Sequence, residues 1–283
     1  MSSPPPDTAT RDRMCTEHEH AAALLGVTCT GPETWGWEGR TLGRRAGGTW
    51  LRLLSVDTGK EGGKLWEGTA AAERLIPAGI PRPRLAAMRD WASDGHTYRA
   101  ELTAYVTQPV LQTGGPVLDR EPELSRTWWS DLRRTLHQVA AVPTDREAVR
   151  QEWIVRSFPR FLGIPAPTVI EWVTAHGDLH WGNLTGEPLA VLDWETWGRA
   201  PYGYDIGLLH TYALAQSATS ARIRSEFADV LTSRAGRIGE LVALAELLQV
   251  AERGGHPELA PLLAERAEQL TGCTLPALGG PST

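Results

Sequence analysis

Residues 176–195 begin His176-Gly177-Asp178-Leu179-His180-Trp181-Gly182-Asn183, continue through Leu-Thr-Gly-Glu-Pro, and finish with the apolar run Leu-Ala-Val-Leu before Asp193-Trp194-Glu195. Carboxylates and an amide thus stand at the ends of short apolar segments, and that set fits phosphoryl transfer. A triphosphate travels with Mg²⁺, a hard cation that takes one or two protein oxygens while phosphates and water complete its octahedron. Asn183 and Asp193 can supply those oxygens. A carboxylate standing apart from the metal can accept the proton of an attacking hydroxyl, and Asp178 is the candidate. Four residues lie between Asp178 and Asn183, the Asp-x-x-x-x-Asn spacing by which one loop presents base and metal ligand side by side. His-Gly-Asp or Asp-Trp alone is ordinary turn chemistry; the three groups together, with a strand-like run between them, are not.

On HGDLHWGN, LDWE and a trailing Asp205 in GYDIGLL, the chain resembles the aminoglycoside phosphotransferase family, the small-molecule branch of the protein-kinase-like fold that also holds choline and homoserine kinases. The resemblance implies an α+β fold of two lobes: a small N-terminal antiparallel β lobe with one helix, and a larger, mainly helical C-terminal lobe. It implies Asp178 as base, Asn183 and Asp193 on Mg²⁺, and His176 and Asp205 as supports of the catalytic loop. Trp181 departs from the Pro usual at that place, so it either reshapes the loop or faces the substrate. His180 and Glu195 flank the motif as further substrate candidates. Trp153, Phe158, Phe161 and Trp172 lie in the region where relatives build lids and substrate pockets, with core packing as their default role.

The elements that must position these groups follow in chain order. Residues 1–13, with three consecutive prolines, read as a disordered lead, and 14–25 as a short helix. Strand signals start at Thr34, and Gly47-Gly48 marks a hairpin turn between two runs. In a kinase-like lobe Gly36 and Gly39 would let the first hairpin offer N–H groups to phosphate oxygens. The third strand of such a lobe carries a Lys for the nucleotide; here that position is Arg52, since the only lysines are Lys60 and Lys64. Arg52 can grip phosphate bidentately, with Lys60 or Lys64 from the following loop as the alternatives. Residues 64–78 read as a helix, on which Glu67, or else Glu73, would orient Arg52 ahead of a Gly-Ile-Pro-Arg-Pro turn. A further strand ends near Val106, and the resemblance makes the backbone of Thr103, Tyr105 and Val106 the purine-binding hinge.

The nucleotide lobe thus spans 14–107, a linker 108–117, and the catalytic and substrate lobe 118–270, followed by a flexible tail 271–283. In the second lobe, 122–142 is a helix with an apolar stripe at Trp128, Leu132, Leu136 and Val139, and further helical periodicity covers 206–217, 219–235, 238–251 and 257–270. His137 belongs to structure rather than catalysis.

Apolar content of 41% and charged content of 22% over 283 residues are those of a globular protein. No apolar run reaches the roughly 18 residues of a membrane span, and the first residues lack a signal peptide's apolar core, so a cytoplasmic enzyme with no membrane partner is expected. Cys15, Cys29 and Cys273 have neither disulfide nor zinc spacing. A net charge of −6, with a slightly basic first lobe, suits a nucleotide and not nucleic acid. The pattern specifies no oligomeric state.

These features describe a kinase moving the γ-phosphate of ATP or GTP to a hydroxyl of a small molecule. Only eleven positions lead from Asp193 to Tyr204, too few for the activation segment on which a protein substrate docks. Residues 204–253 carry six acidic against five basic residues, and the chain has 12 Trp. Both favour an acceptor less cationic than an aminoglycoside, such as an antibiotic or related hydroxylated natural product. A metabolic kinase of choline, homoserine or sugar type, and a non-catalytic nucleotide-binding protein lacking the strand lysine, are the alternatives.

Overall fold

The computed structural model describes residues 5–277, except for the side chain of Trp37. The ends of the expected lead and tail, 1–4 and 278–283, lie outside the described residues. Two compact units emerge: the first runs to Pro109 and takes in Ala190–Glu195, and the second holds Val110–Leu189 and the described chain from Thr196.

The first unit is built on an antiparallel sheet of five strands, β1 (Thr30–Trp35), β2 (Thr41–Ala46), β3 (Thr49–Asp57), β4 (Leu85–Ser93) and β5 (His96–Ala104), in the order β1-β2-β3-β5-β4. Alternation along β3 and β5 decides what each face carries. Leu51, Leu53, Tyr98, Ala100 and Leu102 turn to one side and bury against Met14 and Ala21 of helix α1 (Thr8–Leu25). Trp50, Arg52, Arg99 and Glu101 have the opposite parity. There Arg99 lies 4.5 Å from the Trp66 ring and donates to its carbonyl at 2.6 Å, fastening helix α2 (Gly63–Leu75). The lobe therefore carries two helices, one on each face, and not one. α1 also begins six residues earlier than expected, because Asp7 accepts the N–H of Thr10 at 2.6 Å and caps it, a local signal worth about 1 kcal/mol.

The second unit is helical: α3 (Arg126–Ala140), α4 (Gln151–Ser157), α5 (Tyr204–Thr211), α6 (Ser217–Glu226), α7 (Ala228–Leu231), α8 (Arg234–Glu252) and α9 (Ala260–Thr271), with a two-stranded ladder of β6 (Trp172–Ala175) and β7 (Gly198–Pro201). α3 starts at the Ser125 cap, whose hydroxyl accepts the N–H of Trp128 at 3.1 Å, so Pro122 precedes the helix instead of opening it. Trp128, Trp129, Leu132 and Val139 are buried and His137 is exposed. α8 buries residues all round, as a central helix does. The expected linker is bonded into this unit: Leu111 N–H donates to the Leu184 carbonyl at 2.8 Å, and Val110 bridges Thr185. Among the described residues, no helix is long and apolar enough to cross a membrane.

Candidate active site

In the second unit, β6 pairs with β7 up to Ala175 and Gly198, and the chain leaves the ladder at His176. Gly177 sits at φ 84°, and a Cβ there would lie 2.6 Å from the Thr196 carbonyl oxygen, so glycine is required for the turn. Asp205, in the first turn of α5, accepts the N–H of His176 at 2.7 Å and that of Gly177 at 3.0 Å. Burial raises its pKa, against the pull of His176 and of those two N–H groups. The expected brace is thus a physical one: one sealed carboxylate pins the entry to the loop.

Downstream, Asn183 donates through Nδ2 to the Asp178 carbonyl at 2.9 Å. That bond fixes the amide, so its Oδ1 is the oxygen left to act as a ligand. The Asp178 side chain is 43% exposed. His180 caps the short 3-10 turn Trp181–Asn183 by accepting the Gly182 N–H on Nδ1 at 3.1 Å, which places its proton on Nε2, 3.7 Å from Asp178 Oδ2. Burial pushes the pKa of His180 down to about 3, so the ring stays neutral. Trp181 is fully buried and donates to the Leu209 carbonyl at 3.2 Å, with Trp129 edge-on at 6.5 Å. This corrects the expectation that it faces a substrate: the indole replaces the usual Pro as a packing anchor.

In the first unit, Asp193 follows a segment that is held where Val191 N–H donates to the Pro81 carbonyl at 2.8 Å. Asp193 itself has φ 59°, a left-handed conformation that Asp tolerates better than most residues. Arg52 lies with it. Its Nη1 stands 3.3 Å from Asp193 and 3.9 Å from Glu101, and its Nη2 bonds Glu195. Burial weakens the hold of Arg52 on its proton, but Glu195, Asp193 and Glu101 more than offset this and raise its pKa. Glu195 and Glu101 are both pushed up, chiefly by burial, with Arg52 opposing.

The partner expected on α2 is therefore corrected. Glu67 is exposed, and Glu73 is taken by Arg82 at 2.7 Å and Arg84 at 2.9 Å. Arg52 bonds instead to Glu195 and Asp193, with Glu101, its cross-strand neighbour on β5, at 3.9 Å. Lys60 pairs with Asp57 at 2.6 Å in an exposed contact, and Lys64 stands at the start of α2. Nor do Gly36 and Gly39 offer free donors: Gly36 N–H donates to Thr41 at 3.0 Å and Gly39 N–H to Gly36 at 3.2 Å. At the expected hinge, Tyr105 N–H is spent on Gly48 at 3.0 Å, Thr103 pairs with Trp50, and Val106 follows β5, half-buried. The Tyr105 ring stacks on Trp50 at 6.3 Å. Glu101 and Trp50 were missed from sequence; the signal that could have found them is their parity with Arg52 on paired strands.

Phe158 and Phe161 are core residues, and Trp153 is half-buried on α4. Trp172 lines a cavity of about 210 Å³ with Glu147, Glu152 and Arg199, and Arg199 lies 5.7 Å from its ring. Among the described residues, no group of three or more His, Cys, Asp or Glu forms a metal centre. The Asn183 amide oxygen in the second unit and the Asp193 carboxylate in the first are each hard donors of the kind Mg²⁺ takes.

A model of the phosphotransferase enzyme family (APH) matches residues 38–241, most of the chain, and the chain belongs to that family. It is by that membership a phosphotransferase. Solved structures share its fold. A thermostable mutant of aminoglycoside phosphotransferase APH(4)-Ia is 12% identical, with a TM-score of 0.57 over 89% of this chain and 97% of that one. Amicoumacin kinase hAmiN in complex with AMP-PNP, Ca²⁺ and Ami is 10% identical, with a TM-score of 0.55 over 90% and 92%. Choline kinase LicA from Streptococcus pneumoniae is 12% identical, with a TM-score of 0.54 over 93% and 100%. No curated protein matches the sequence.

Proposed function

We propose that this chain is a cytoplasmic, Mg²⁺-dependent kinase that moves the γ-phosphate of ATP or GTP to a hydroxyl of an antibiotic or related hydroxylated natural product. The observation that carries the reading is the loop itself: Asp178 exposed, Asn183 tied to its carbonyl, and the entry pinned by Asp205. Asp178 takes the proton of the acceptor hydroxyl. Asn183 and Asp193 are the residues that would hold Mg²⁺, which when bound neutralises phosphate charge. Arg52 supplies a fixed cation for the phosphates in place of the usual lysine, and Trp50, on the same strand face, offers a flat apolar surface suited to a purine.

The hAmiN complex with a nucleotide analogue, a divalent ion and an antibiotic supports the nucleotide, the metal and the acceptor class by analogy.

The test replaces Asp178 by Asn and follows products heavier by one phosphate by mass spectrometry, in small-molecule extracts incubated with nucleotide and Mg²⁺. Turnover should fall about a hundredfold or more with nucleotide affinity kept. Full turnover in the variant refutes the base assignment.

A further inference from the structure

α5 has all eight residues buried, so apolar burial gives it no preferred rotation about its axis. Yet its first turn carries Asp205, whose placement decides whether the N–H groups of His176 and Gly177 are held. Five residues on, His210 is fully buried with both ring nitrogens bonded, Nδ1 at 3.0 Å to Glu240 and Nε2 at 2.9 Å to Ser220 Oγ. Glu240, also fully buried, accepts Arg266 Nε at 2.8 Å and Nη2 at 3.0 Å. Arg266 balances the charge of Glu240, and the imidazole links that carboxylate through Nδ1 to the Ser220 hydroxyl through Nε2.

The same α8 grips α5 near Asp205. The Tyr204 hydroxyl donates to Glu246, and a Cβ on Gly207 would lie 2.8 Å from Glu240 Cα, so the two helices meet backbone to backbone. The Ser-His-Glu order resembles a nucleophile triad, but Ser220 is only 4% exposed and no acyl group can reach it. Directional bonds of this kind select one packing out of several apolar ones.

We infer that His210 and Glu240 are positioning residues: the bonded chain Arg266–Glu240–His210–Ser220 fixes the rotation of α5 and thereby the Asp205 carboxylate that holds the loop at His176 and Gly177. The inference rests on reading that loop as the catalytic one, but its test needs no turnover, so a failed Asp178→Asn experiment and a failure here are separable. The measurement is native-state amide exchange of the whole chain, comparing His176 and Gly177 with Leu132 and Val139 in α3 as an internal control.

His210→Leu, which leaves the Glu240–Arg266 pair intact, should speed exchange at the two loop amides by about tenfold or more while the α3 amides keep their protection. His210→Gln, able to donate to Glu240 and accept from Ser220, should restore most of it. Ser220→Ala, the mildest break, should give the same local pattern at about twofold or more and serves if the Leu variant fails to fold. Loop amides that stay protected in Ser220→Ala and His210→Leu, or α3 amides that lose protection in step with them, would overturn the inference.

Discussion

A buried cluster of acids and bases stands in each unit, and the two are built on opposite terms. In the second unit Glu240 meets one guanidinium and one imidazole, and every bond is made within 3.0 Å. In the first unit one guanidinium faces three carboxylates, and Glu101 Oε1, buried, has no hydrogen-bond partner among the described residues. Burying surplus like charge is costly, and burial indeed raises Glu101 and Glu195 toward protonation. A cluster selected for stability alone would converge on the first pattern. An unbalanced one is what a site shaped for charged ligands leaves behind.

The largest effect should come from breaking the balanced cluster. Arg266→Met strands the fully buried Glu240 charge, and removing one partner of a buried pair costs about 3–5 kcal/mol, readable as a lowered urea midpoint. Arg52→Met should cost clearly less, because Glu101 and Glu195 are already poised to take protons and so relieve the loss. Equal losses in the two variants would erase the contrast.

Arg52→Ala tests what the unbalanced cluster is for. A hydrogen bond to a charged group contributes about 1.5–3 kcal/mol, so ATP or GTP affinity by calorimetry should fall roughly tenfold to a hundredfold, with Arg52→Lys recovering part of it. Unchanged affinity would move the anchor to Lys60 or Lys64.

The contrast also marks what could be read from sequence. The loop at 176–183, its hold by Asp205 and the helical second lobe were legible because loop chemistry and helix periodicity are local: Asp178 and Asn183 stand five positions apart, and Trp128, Leu132 and Val139 share one stripe. The α+β class followed from the same signals. Arg52 was found by position on its strand, but its partner was not. The pairing with Glu101 spans 49 positions and depends on β3–β5 register, which no local pattern encodes, whereas Glu67 and Glu73 sat in a helix that looked right. Trp181 failed for a related reason, since only the packing of α3 and α5 around it decides that an indole beside a catalytic loop is core. The Asp7 cap was a local signal passed over because the prolines before it suggested disorder.

Acid should separate His180 from Glu73 by pH window. His180 in the second unit has its pKa lowered by burial from 6.5 to about 3. Below its unfolded value the unfolded chain binds a proton that the folded chain refuses, so its contribution is complete above 6.5 and is lost as pH falls toward 3, at up to about 1.4 kcal/mol per pH unit. Glu73 in the first unit is lowered from 4.5 to about 2, first by Arg84 and then by Arg82. Its contribution is present above 4.5 and fades only between 4.5 and 2, and its exposure keeps it small. Urea midpoints measured at about pH 6.5 and pH 5 should therefore fall in the wild type, fall clearly less in His180→Gln, where the buried His18 and His256 still contribute, and fall in Glu73→Gln as in the wild type. A His180→Gln variant that loses as much stability as the wild type over that interval would show that the loop imidazole is already charged, and with it that the Nε2 proton facing Asp178 has been misassigned.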